Sequence, residues 1–394
     1  MRLRRPTPGC ASNGRRFACQ TTRRFNVIDN AQFDTRRERL DMQHTQGVAG
    51  REIAAIRDRL RRLGAAQAHA ERVLRLWLHA AAQDSGRRRI EDFLPRTLRD
   101  ALPALAAELA GIARIASRHP AQDGSERLLI ELGDAQTIES VLLPKGGLCV
   151  STQVGCAVGC IFCMTGQGGL ARQLGSAEIA AQLALARSLR PVRKVVLMGM
   201  GEPAHNLGAV LDAITLLGTA GGIGHKEIVF STVGDERAFG RLLALRVGDV
   251  RPALAISLHS TDPALRAVLL PRAPRIAPAE LADFGERYAS ATGYPIQYQW
   301  TLIDGVNDGA DEIEGIAALL AGKRAMMNLI PYNAVDGLAL RRPPWAHAAA
   351  MTRRLNQRGV LTRLRRSAGQ DVDAGCGQLR ARVGDGVIRR HASR

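Results

Sequence analysis

The sequence predicts an α/β fold: a partial (β/α)6 barrel of parallel strands behind a small helical N-terminal accessory domain. Two observations carry that prediction. From Leu148 onward, short β-branched runs alternate with helical stretches, which means βαβ units around a parallel sheet. The residues with evident chemistry fall just after those strands, where barrels of this kind keep their active sites.

The elements follow in order. Residues 1–41 carry ten Arg and four acids with no sustained periodicity, and read as a disordered basic arm. The pattern turns regular only after Met42, which is itself a candidate start. Residues 42–120 read as the helical domain, with Ile53, Ile56, Leu60, Leu63 and then Val73, Leu74, Trp77 at helical spacing, and further helices near 92–101 and 103–115. Residues 121–147 hold a β-hairpin turning at Gly133 and Asp134. Residues 148–385 form the barrel, with strands at 148–153, 194–198, 227–231, 253–257, 296–302, 326–330 and 360–365. Helices lie between them near 176–189, 207–217, 236–246, 278–291, 311–321 and 345–358. Residues 386–394 form a basic tail.

The 394 residues suggest two or three domains, and 46% hydrophobic with 23% charged residues is ordinary for a globular chain. No apolar run is long enough to span a membrane, and no secretory pattern opens the chain, so a cytoplasmic protein is expected. The formal net charge is +18, almost all from Arg; Lys occurs only at 145, 194, 226 and 323. Such charge favours a polyanionic partner, nucleic acid first, over a plain solvated surface.

An odd cysteine count of seven argues against a disulfide framework. Cys156, Cys160 and Cys163 form C-x3-C-x2-C directly after a strand. Three thiolates are one short of closing a tetrahedral zinc site or a four-iron cluster. A cluster held so would keep one iron open to a ligand; three buried structural cysteines are the plain alternative.

This spacing on a partial barrel resembles the radical S-adenosylmethionine (SAM) superfamily. Further stretches stand in the order of the RlmN/Cfr RNA methyltransferases: "VVLMGMGEPAHN" at 195–206, "FSTVG" at 230–234, "AISLHS" at 255–260, "LIDGVND" at 302–308, "NLIPYN" at 328–333 and "GQDVDAGCGQL" at 369–379. The resemblance implies methylation of adenine carbon 2 or carbon 8 in RNA, 23S ribosomal RNA first and transfer RNA second. It implies a [4Fe-4S] cluster on Cys156, Cys160 and Cys163, and two SAM per turnover. Gly201, Glu202, Ser231, Ser257, Leu258, His259 and Asn333 would contact SAM. Cys376 would carry the methyl group, and Cys149 would release the product through a transient Cys149–Cys376 disulfide. Glu139 matches a proton acceptor. A flavodoxin-like protein would supply electrons to a monomeric enzyme. Met164, Gln173, Ala204, His205, Gln299, Trp300 and Gly375 depart from the family's usual residues, as a divergent RlmN-like paralogue would. Two other readings stand beside this one: a radical SAM enzyme of another class, such as a methylthiotransferase or an activase, and a non-catalytic RNA-binding protein stapled by metal.

Overall fold

The computed structural model describes residues 51–381, Asp336 excepted; the basic arm expected over 1–41 and the tail expected over 386–394 lie outside the described residues. Three helices come first: α1 (Ile53–Arg62), α2 (Gln67–Leu78) and α3 (Arg96–Gly111). Two helices expected near 92–101 and 103–115 are one, with Pro103 inside it. A proline there removes one backbone hydrogen bond. Leu98, Leu102, Leu105 and Leu109 carry one buried stripe past it on both sides, and burying each is worth roughly 1.5–3 kcal/mol.

The end of that expected second helix is strand β1 (Ala113–Pro120), which pairs antiparallel with β2 (Glu126–Leu132). β2 pairs in turn with β3 (Thr137–Leu143), and the turn between them falls at Gly133 and Asp134 as expected. The hairpin therefore does not link two bodies; it is part of one ten-stranded sheet of order β1-β2-β3-β4-β7-β8-β9-β10-β11-β12. The sheet changes character at β4 (Gly147–Cys149), which is antiparallel to β3 and parallel to β7 (Lys194–Leu197).

Beyond β4 every neighbouring pair is parallel: β7, β8 (Ile228–Thr232), β9 (Ala253–Ser257), β10 (Ile296–Leu302), β11 (Ala325–Pro331) and β12 (Thr362–Leu364). Six crossovers join the seven strands. Their helices are α4 (Ser176–Arg187), α5 (Leu207–Gly218), α6 (Glu236–Leu243), α7 (Pro263–Leu269), α8 (Pro278–Thr292), α9 (Ala310–Leu320) and α10 (Trp345–Gln357). The short α7 was not foreseen; Asp262 caps it by accepting from the Ala264 N–H at 2.9 Å. A two-stranded hairpin, β5 (Gln153–Gly155) with β6 (Leu170–Gln173), was also not foreseen. An ion network ties the meander to the barrel: Arg172 reaches Asp134 at the exposed β2–β3 turn (2.8 Å) and the buried Glu178 in the first turn of α4 (2.8 Å). Among the described residues no helix is long and apolar enough to cross a membrane.

Candidate active site

The three clustered cysteines lie on the loop between β4 and β6. The hairpin closes its base, and the Cys156 N–H donates to the Gly169 carbonyl at 3.0 Å. Gly155 sits at φ +80°, and a Cβ there would lie 2.0 Å from that same carbonyl oxygen, so only glycine fits. α7 and the turn after it hold the loop from outside: Ile161 N–H donates to Leu269 O at 3.1 Å and Arg272 N–H to Val158 O at 3.3 Å. Held this way, Cys156, Cys160 and Cys163 all face one small cavity of about 150 Å³. Burial pushes the Cys160 thiol well up, and the neighbouring Cys163 and Cys156 push it further. Among the described residues, no three His, Cys, Asp or Glu side chains converge as they would on a single ion. Three neighbouring thiols open to a cavity are a donor set for a cluster, whose irons spread the ligands further apart than one metal does.

The ends of β7, β8 and β9 supply the rest of this cavity. Gly201, Glu202, Ser231, Ser257 and His259 line it with the cysteines. Gly201 has φ +108°, and a Cβ would meet the Gln153 side chain at 2.7 Å. Glu202 is buried; its carboxylate accepts from the Val233 N–H (3.0 Å) and the Ala204 N–H (3.1 Å). Burial nonetheless pushes its pKa up to about 7, so a bound cation would find a carboxyl ready to ionise. His259 adopts φ +62°, and its Nδ1 accepts from the Thr301 N–H at 2.9 Å. A ring nitrogen that accepts carries no proton, so the proton is on Nε2. Burial, with Arg266 nearby, pushes the His259 pKa down to about 3 and keeps the ring neutral.

A second cavity of about 920 Å³ shares a wall with the first. Cys163, Met198, Gly199, Gln299 and Cys376 line both. Cys149, at the end of β4, lines only the larger. The Cys376 loop is pinned onto the cysteine loop: Met164 N–H donates to Gly377 O at 2.7 Å, and Thr165 Oγ1 to Leu379 O at 2.7 Å. Cys376 is open to the cavity yet ringed by protein; burial raises its thiol pKa, while Arg365 and the Ser367 hydroxyl pull it back. Burial also raises Cys149, and Cys376 is the next largest influence on it, so the two thiols sense each other. Both are free thiols, and the disulfide expected between them is not formed here.

Three expected site residues stand elsewhere. Leu258 is fully buried and lines neither cavity. Asn333 lies behind the Cys376 loop: its Nδ2 donates to the Cys376 carbonyl (2.9 Å) and the Ser367 hydroxyl (2.8 Å). Glu139 also lines neither cavity. Its carboxylate pairs with Arg127 and accepts from the Arg380 N–H (2.7 Å) and Ala381 N–H (3.0 Å). That geometry makes it an anchor of the chain after Cys376.

Asn328 escaped the sequence reading, and it stands in a row of polar residues whose alignment no motif announces. Ser257, Gln299, Asn328 and Arg363 stand side by side in register across β9 to β12. The last three line the large cavity, and the buried Asn328 Oδ1 has no hydrogen-bond partner. Their signal was a shared strand parity, visible only once the register is known.

Comparison with known proteins agrees with this geometry. Residues 150–320 match the radical SAM superfamily. A probable RNA methyltransferase of Methylibium petroleiphilum is 69% identical over 331 residues, covering 84% of this chain and 93% of that protein. Another from Aromatoleum aromaticum is 67% identical over 331 residues, covering 84% and 92%. The crystal structure of a radical SAM methyltransferase from Sphaerobacter thermophilus is similar at a TM-score of 0.72 and 34% identity, covering 84% of this chain and 98% of that one.

Proposed function

The chain belongs to the radical SAM RNA methyltransferases, and from that premise we propose that it methylates an adenine ring carbon in RNA through an S-methylated Cys376. The observation that carries this reading is the shared wall: Cys376 lines both the small cavity with the three cysteines and the large, basic-rimmed one. A nucleophile there can take a group from one side and hand it to the other.

Cys156, Cys160 and Cys163 would hold a [4Fe-4S] cluster with one iron open, which together with SAM supplies a 5′-deoxyadenosyl radical by one-electron cleavage. Glu202 receives the ammonium of SAM once ionised, and the neutral His259 offers Nε2–H to an acceptor atom of the same ligand. The Cys376 thiol loses its proton and its sulfur displaces the methyl of a first SAM: the new S–C bond forms as the sulfonium C–S bond breaks. The methyl then gives up a hydrogen atom to the 5′-deoxyadenosyl radical from a second SAM, which leaves as 5′-deoxyadenosine, and the resulting carbon radical adds to the adenine ring. Arg365 and Ser367 favour the Cys376 thiolate that the first step needs. Cys149 attacks the Cys376 sulfur to free the product: the S–S bond forms as the Cys376 S–CH2 bond breaks, and the Cys149 proton completes the methyl group. The ring hydrogen leaves as a proton and one electron returns to the outside carrier. An external thiol then reduces the Cys149–Cys376 disulfide. Burial keeps Cys149 protonated until its attack. The electron comes from an outside donor, in our reading a small flavoprotein in the reduced cytoplasm.

Lys145, Lys194, Arg363 and Arg365 line the large cavity and suit the phosphates around a flipped-out base. Carbon 2 or carbon 8 of adenine, in 23S ribosomal or transfer RNA, are the candidate targets. The test is mass spectrometry of the tryptic peptide bearing Cys376, from protein purified without oxygen. One added methyl group on Cys376 is the expected result. An unmodified Cys376 in protein that holds its cluster and cleaves SAM would move the chain to another radical SAM reaction class.

A further inference from the structure

Beside the large cavity lies a separate pocket of about 310 Å³, lined by Pro331, Arg342, Trp345, Arg365, Arg366 and Gln370. Arg365, Arg366 and Gln370 line the large cavity as well, so the two spaces are neighbours. Trp345 opens α10 and is 45% exposed, whereas Trp77 and Trp300 are buried. The Arg366 guanidinium lies over its ring, 4.7 Å from the centroid. An exposed indole beside arginines is a stacking platform for a nucleobase, sequence-tolerant because every base has a π-face.

Part of the charge around it is paired with no carboxylate. Arg341 and Arg358, close by in sequence, pair with Asp304 and Glu314. Among the described residues no carboxylate pairs with Arg365 or Arg366. Arg342 does the opposite work: its Nε donates to Tyr332 O (2.7 Å), and its Nη2 to Asn333 Oδ1 (2.8 Å) and Gln370 Oε1 (2.8 Å). Asn333 in turn holds the Cys376 carbonyl. The pocket floor and the nucleophile loop are thus joined by two consecutive hydrogen bonds, which fixes their spacing.

We propose that this pocket is a second nucleotide subsite: it takes an unpaired base flanking the target adenine on the Trp345 ring, with the adjoining phosphate on Arg365 and Arg366. The proposal rests on the reading that RNA is the substrate. It adds that the target must sit in a single-stranded stretch, because a stacked duplex offers no free base face to the indole.

The test is fluorescence titration of the full-length protein, cluster loaded, with a twelve-nucleotide oligoadenylate. Trp345 emission should be quenched saturably. Trp345→Ala should weaken binding on the order of tenfold, and Trp345→Phe should restore most of the affinity while losing the quench. Arg365→Gln with Arg366→Gln should flatten the salt dependence by about 0.7 in log–log slope, the share of the one phosphate that the pair holds. Affinity unchanged in Trp345→Ala, with the wild type binding well, overturns the subsite alone. A wild type that does not bind the oligonucleotide overturns the RNA reading along with it.

Discussion

The two cavities share a wall and differ in almost everything else. The small one is lined by thiols, a carboxyl held half-protonated near neutrality and an imidazole held neutral by burial. The large one carries three arginines and two lysines among amides, apolar side chains, the thiols of Cys149, Cys163 and Cys376, and two carboxylates, Asp123 and Asp371. One environment fits a small zwitterion, the other a polyanion. The difference teaches that substrate selection is done by separate rooms, while the chemistry is confined to the partition between them. Glycines shape the partition: Gly199 and Gly377 line both cavities, and each allows an approach that a Cβ would block, to Val150 O at 2.7 Å and to Phe162 O at 2.9 Å.

Removing the partition's thiol should break the comparison most. Cys376→Ala is expected to lower RNA methylation by about a thousandfold or more, as loss of a covalent nucleophile does. SAM cleavage in the small cavity should persist, read as 5′-deoxyadenosine formed on reduction with dithionite. Loss of both activities would mean the two rooms are not separable.

Next in size is the partition's anchor. Glu139 is 1% exposed in its pair with Arg127, and removing one partner of a buried pair costs about 3–5 kcal/mol. Glu139→Ala should therefore lower stability by that order in urea unfolding. The milder Glu139→Gln should loosen hydrogen exchange over residues 376–381. A Glu139→Gln protein as stable as wild type but dead in turnover would restore the proton-acceptor role.

The smallest expected effect concerns the small cavity alone. The folded-state pKa of His259 is about 3, against 6.5 unperturbed. Between those values the unfolded chain binds a proton that the folded chain refuses. Stability from this group is thus full above 6.5 and lost as pH falls toward 3. Going from about pH 7 to about pH 5.5 should cost on the order of 1 kcal/mol from His259. His259→Asn, tolerant of the positive φ and able to accept from Thr301, should remove that contribution. An unchanged slope in the variant would show that the imidazole is not held neutral.

How legible this was depended on the range of the forces involved. The parallel strands could be read nearly to the residue because each βαβ unit writes its own period: 296–302 and 253–257 match their strands end to end. The β5–β6 hairpin was missed because Gln153–Gly155 is too short to show a pattern, and only pairing with Leu170–Gln173 makes it a strand. β1 was taken for helix because its half-exposed residues alternate weakly and its partner β2 decides the matter. The cluster cysteines and Cys376 were visible through spacing and through flanking glycines. The roles of Glu139 and Asn333 in catalysis and SAM contact come from the family resemblance, and nothing local announces what these side chains hold. Their partners are backbone groups 241 and 43 residues away.

The reach of Glu139 bears on the order in which the molecule is made. A chain leaving the ribosome folds its early parts first. It has Glu139, the three clustered cysteines and most of the small cavity long before Arg380 and Ala381 emerge to be gripped. Until then the cavity is open on the side that Cys376 will close. The last of the described residues to emerge are thus the ones whose backbone seats the Cys376 loop against the three cysteines.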